Sequence, residues 1–138
     1  MQKGQNSAAA STTRQDELQT LFTSMGIALE GESSRANLFK KGLLTPDKQA
    51  GISRVCDVDR KEMILRFGSN RSWLLKVDGE NSEIGLFHYG DWQAYGPNIN
   101  PLRLFPIRFD DSGKIPGSDA LAGKIAADVV SGILSGAL

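Results

Sequence analysis

The chain has 138 residues and no net formal charge, sixteen basic side chains balancing sixteen acidic ones. With 40% apolar and 23% charged residues it fits one globular domain able to bury its own core. The neutral balance argues against an undirected polyanion binder, and the single cysteine, Cys56, rules out an internal disulfide.

Residues 1–13 carry no large apolar side chain after Met1. Such a stretch buries too little surface to offset its ordering entropy, so it is expected to be a flexible polar arm before a single α+β domain at 14–138. The arm lacks the apolar core of a signal peptide. A helix is expected to open at Thr12 or Thr13, with Asp16 and Glu17 near its positive end. Leu18, Leu21, Phe22 and Met25 follow at helical spacing, and Gly26 is the expected stop. Residues 30–34 read as a loop in which Ser33 or Ser34 caps a short helix holding Leu38 and Phe39, closed by Gly42. Thr45-Pro46-Asp47 signals another helical turn.

From Ile52 the apolar period changes to two. Strands are expected at Ser53–Val58, Met63–Phe67, Ser72–Asp78 and Glu83–Tyr89, the third with Trp73, Leu75 and Val77 on one face. Residues 90–101, rich in Gly and Pro, read as a long loop. Arg103–Phe109 is the last strand, and Pro106, which has no amide hydrogen to donate, sends it to an edge. Asp110-Asp111-Ser112-Gly113 turns the chain, and Ser118 is the expected cap of a final helix over Asp119–Leu138. Helices, then an antiparallel meander of four to five strands, then a helix make an α+β fold.

The final helix is apolar through most of its circumference. Leu121, Ala122, Ile125, Ala126, Val129, Val130, Ile133 and Ala137 fill a broad arc that Ala120, Ala127, Leu134 and Leu138 extend, leaving a narrow wedge of Lys124, Asp128, Ser131 and Ser135. A surface helix shows a stripe, so cover from several sides is expected, from its own domain or another chain. Lys124 and Asp128 make it a poor membrane span. Gly132 and Gly136 share a helix face, which implies either close approach of another backbone or a frayed end.

Few residues invite chemistry. His88 is the lone histidine, in strand phase with Ile84 and Leu86, and Asp91 follows three positions on; a sheet histidine competes with a catalytic base. No G-x-S-x-G elbow, phosphate loop or zinc spacing occurs. Asp57 and Asp59 share a strand face, with Glu80, Glu83, Asp110 and Asp111 as further candidate oxygen ligands, but Arg54, Arg60 and Lys61 lie close enough to neutralise them. Arg54, Arg60, Lys61, Arg66, Arg71 and Lys76, with Trp73 and Phe67 among them, raise single-stranded nucleic acid as a partner, against which stand the zero charge and an inward Trp73. The loop with Trp92 and Tyr95 is the candidate recognition surface; the competing reading folds Trp92 back onto the sheet.

The sequence thus reads as a non-enzymatic assembly or binding protein without cofactor or metal, soluble, intracellular (cytoplasmic) and not membrane-bound. A protein partner or self-association is expected at Trp92, Tyr95, Ile133 and Gly136, in a homo-oligomer or a larger particle such as a virion. The rivals are a protein-binding inhibitor or adaptor and a small enzyme using His88.

Overall fold

Alternating apolar residues pair across a meander. In the computed structural model, which describes residues 2–42, 52–57, 61–67, 71–78 and 82–138, five strands follow chain order. They are β1 (Ile52–Asp57), β2 (Glu62–Phe67), β3 (Arg71–Val77), β4 (Glu83–His88) and β5 (Arg103–Pro106), each antiparallel to the next. The register sets Leu65 opposite Trp73, Leu75 opposite Met63 and Leu86, and Ile84 between Val77 and Phe105. These side chains form one inner face, all buried. The other parity, Ile64, Leu74, Lys76, Gly85, Phe87 and Leu104, forms the outer face.

The sheet follows the expected α+β plan, with two shortened ends. β4 stops at His88, where a helix begins, and β5 stops at Pro106; the Ile107 amide still donates to Ser82 O at 2.7 Å before the chain leaves the sheet. As expected from its proline, β5 is an edge strand.

The helices depart further from expectation. α1 runs from Gln2 to Ser33, starting before Thr12 and passing through Gly26. Ala8, Ala9 and Ala10 have the highest helix propensity, which suits the early start. Beyond Gly26 the apolar stripe of Leu18, Leu21, Phe22 and Met25 continues at Leu29, and all five are fully buried. One buried leucine is worth roughly 1.5–3 kcal/mol, more than the roughly 1 kcal/mol a helical glycine costs, so packing carries the helix past Gly26. Asp16 and Glu17 consequently lie mid-helix, away from a positive helix end. The expected loop at 30–34 is therefore mostly helix. Ser34 alone leaves it, capping α2 (Arg35–Lys40) with an Oγ that accepts from the Asn37 amide at 3.2 Å. Gly42, at φ 71°, closes α2 as expected. The turn at Thr45-Pro46-Asp47 lies outside the described residues.

The last helix, α4, covers Ser118–Ser135. Ser118 is its first helical residue rather than its cap; Gly117, at φ 67°, holds the cap position in a conformation that suits glycine. Ala122, Ile125, Ala126, Val129, Val130 and Ile133 are buried in one core with α1 and the inner sheet face. Asp119, Ala120, Lys124, Asp128, Ser131 and Ser135 are exposed. The chain itself thus covers most of the apolar arc, leaving Ala120 and Ala137 exposed, and the exposed side is wider than the expected wedge. Leu138 is not helical. Gly136, at φ 81°, reverses the chain, and the Leu138 amide donates to Gly132 O at 3.1 Å. A Cβ at Gly132 would sit 2.5 Å from Leu138 Cδ1. The close approach at Gly132 is made by the chain's own leucine.

Helices α1, α2 and α4 therefore form one layer beneath the inner sheet face. No helix of the described residues is long and apolar enough to cross a membrane.

Candidate functional site

The outer sheet face is partly covered by the segment expected to be a loop. Residues Tyr89–Tyr95 form α3, and Gly96–Asn98 a single 3-10 turn. Asp91 lies in the first turn, where negative charge favours a helix, and Gly96, at φ 61°, ends it. Packing holds α3 down. The Trp92 ring lies 4.9 Å from the Phe87 ring, at 53°. Beneath α3, Leu74 is fully buried although it belongs to the outer face.

Phe87 in turn lies over Gly85, where a Cβ would come within 2.7 Å of its ring. Gly85 therefore sinks the sheet surface. Trp92, Pro97, Ile99, Pro101 and Leu104, the last 53% exposed on edge strand β5, line the depression. The result is a groove of about 460 Å³ with an apolar floor. Lys76, Asp78 and Glu83 are the charged residues of its lining. Lys76 is engaged: its Nζ is 3.2 Å from Glu62 Oε2 and 5.8 Å above the Trp92 ring. Asp78 accepts from the Ser82 amide and hydroxyl, at 2.9 and 3.0 Å. No ion pair engages Glu83 among the described residues.

The four residues expected to bind protein separate. Trp92 lines the groove and Tyr95, 67% exposed, projects from the same helix. Ile133 is buried in the core of its own chain, and Gly136 is the turning residue at the end of α4. Trp92 thus folds back onto the sheet and still presents a face to the groove.

Other candidates are not brought into working geometry. His88 is half-buried at the end of β4, its ring 5.9 Å from Trp73. With Arg71, Ser72 and the exposed Asp91 it lines a shallow polar depression, but no hydrogen bond joins it to Asp91 among the described residues. The side chains of Cys56 and Asp57, and Asp59 and Glu80 entirely, lie outside the described residues. Asp110 is occupied by its own turn: Oδ1 accepts from Ser112 Oγ at 2.7 Å and from the Ser112 and Lys114 amides at 2.9 Å each. The Ser112 hydroxyl bond first, then the Lys114 amide, hold its carboxyl below the usual value. No group of three or more metal-ligating side chains occurs among the described residues.

Trp73 is 1% exposed on the inner face, so no base can stack on it. Arg66 and Lys76 do share the outer face, by their pairing with Ser72 and Glu62, but Glu62 neutralises Lys76. Among the described residues that face carries Arg66 and Lys76 against Glu62, Asp78 and Glu83, so it is not basic.

Sequence reasoning placed Trp92, Pro97, Ile99 and Pro101 in one candidate recognition loop but missed Phe87 and Leu104. A signal existed. Gly85 within an apolar strand marks a place where something approaches the backbone closely. Compared with known protein families, characterised proteins and solved structures, the chain matches none significantly.

Proposed function

We propose that this is a non-enzymatic binding protein whose recognition surface is the outer sheet face. The observation that carries the reading is the groove of about 460 Å³ over Gly85 and Phe87, bounded by Trp92 and the exposed Leu104. Its size lies in the range of roughly 300–1,000 Å³ typical of ligand sites, and an aromatic beside a half-exposed aliphatic suits an interface hot spot. The partner is a protein: another copy, giving a homo-oligomer or a larger particle, or a machine on which the chain acts as inhibitor or adaptor. The enzyme reading gains no support, since among the described residues no hydrogen bond orients His88 or joins it to the Ser72 hydroxyl that lines the same depression.

A photo-crosslinking amino acid at Leu104, compared with one at exposed Lys124 on α4, tests this directly in cells that make the protein. Leu104 should crosslink one defined protein, itself or another, and Lys124 should not. Equal, diffuse crosslinking from both positions would sink the reading.

A further inference from the structure

We infer that the groove takes a short extended segment of another protein, in which a large apolar side chain and a lysine or arginine stand two positions apart. The inference rests on the outer face being the recognition surface, and it names the chemistry of the partner.

The register sets the spacing. On the outer face Lys76, Gly85 and Leu104 form one row across β3, β4 and β5. Two residues further along these strands comes the next row of the same face. There the Asp78 amide donates to Glu83 O at 3.0 Å, and Glu83 lies opposite Pro106. Two residues of strand measure about 7 Å, so that is the separation between the row of the Gly85 hollow and the row of the two carboxylates. In an extended segment, side chains i and i+2 share a face at the same spacing. One can fill the hollow while the other reaches the carboxylates.

Charge gives the sign of the second residue. Asp78 and Glu83 face each other directly across β3 and β4, an arrangement that costs stability between like charges. Among the described residues no cation relieves it. Lys76, the cation of the lining, is held by Glu62 with its Nζ at 3.2 Å, and the Asp78 carboxylate accepts from Ser82. A cation brought by a partner relieves the repulsion and is attracted by both groups. Lysine and arginine suit the place, because their apolar stems can lie along the groove lining while the charged head reaches the acids. The volume of about 460 Å³ admits roughly two large side chains, which matches one apolar anchor and one such stem.

The test is selection of phage-displayed random heptapeptides on the full chain, followed by fluorescence anisotropy with a labelled synthetic copy of the enriched sequence. Enriched sequences should pair a leucine, isoleucine, phenylalanine or tryptophan with a lysine or arginine two positions away. Glu83→Lys and Leu104→Asp should each weaken binding about tenfold or more. Glu83→Lys should instead prefer the same peptide with glutamate in place of its cation. Glu83→Gln should bind less tightly yet melt no lower than wild type by circular dichroism, because it removes a like-charge contact. A lower melting temperature in Glu83→Gln assigns the carboxylate to the fold and overturns the inference. No enrichment over an unrelated protein, enrichment without a cation at that spacing, or equal binding to Glu83→Lys and wild type overturns it too. Self-association that Leu104→Asp abolishes, with no peptide bound, gives the groove to a second copy and has the same effect. The outer-face reading fails separately, when Leu104 and Lys124 crosslink alike.

Discussion

The Glu17 carboxylate accepts a hydrogen bond from the Ile115 amide at 2.8 Å, joining α1 to the loop before α4 across 98 positions of sequence. Ile115 is itself buried, so its amide has little access to water. Removing the acceptor strands a donor, at a cost of about 1–3 kcal/mol. Glu17→Leu should lower the melting temperature by several degrees, and Glu17→Gln, which keeps an oxygen, by less. Equal melting of both variants and wild type would show that the bond is dispensable.

That pairing also marks where sequence reasoning reached its limit. The strands were legible because alternation in Met63–Phe67 and Trp73–Val77 is a local signal, and each half-buried strand needs it. Gly26 misled because its local preference was overruled by Leu29, whose burial against distant residues no local window reveals. Residues 90–101 misled likewise: Gly90, Gly96 and Pro97 read as loop, yet Trp92 anchors a helix on Phe87 by a contact set only by the fold. Trp92 was recognisable by type and position. Its groove was not, since Gly85, Phe87 and Leu104 meet only once β4 and β5 pair.

At the end of α4 two glycines play different parts. Gly132 makes room for Leu138, so Gly132→Ala should destabilise despite improved helix propensity, and adding Leu138→Ala should recover much of the loss. Gly136 has open space around it but sits at φ 81°, so Gly136→Ala should cost about 1–2 kcal/mol from backbone strain alone. Stabilisation by Gly132→Ala in the presence of Leu138 would mean that the chain end does not pack as described. Urea unfolding of the four proteins separates these effects.

The turn at Asp110 gives a pH dependence of known sign. Its folded carboxyl titrates below the ordinary value of 3.8, since the ionised form accepts the Ser112 and Lys114 donors. Its stabilising contribution is complete above the ordinary value and is lost as pH falls through the lower, folded one. Wild type should exceed Asp110→Ala in stability at neutral pH, with the gap closing below about pH 4. Denaturation midpoints measured from pH 2 to 7, as an order-of-magnitude span for a carboxylate, check this; a gap independent of pH would assign the turn's stability to something other than the carboxylate.

Deleting residues 1–13 probes whether that segment belongs to the fold. Among the described side chains of α1 the buried stripe begins at Leu18, and the bond to Glu17 lies beyond the deletion. The truncated chain should melt as the full one does, while its association is reduced. A lower melting temperature with sedimentation unchanged would show that the segment is part of the domain instead.

Trp92 and Tyr95 share α3 but not its role. Tyr95 is largely exposed, and Tyr95→Ala should leave melting unchanged while weakening association only if the interface extends beyond the groove. Trp92 covers Phe87 and walls the groove, so its removal strips a contact surface from both. Trp92→Ala should weaken partner or subunit binding by about 2 kcal/mol or more. The inner core, built on Trp73 and the helices, does not include Trp92, so the fold should persist. Circular dichroism and sedimentation of the same preparation decide the matter. A variant that unfolds makes Trp92 a structural plug, and one that folds and binds as wild type removes the groove from the recognition surface.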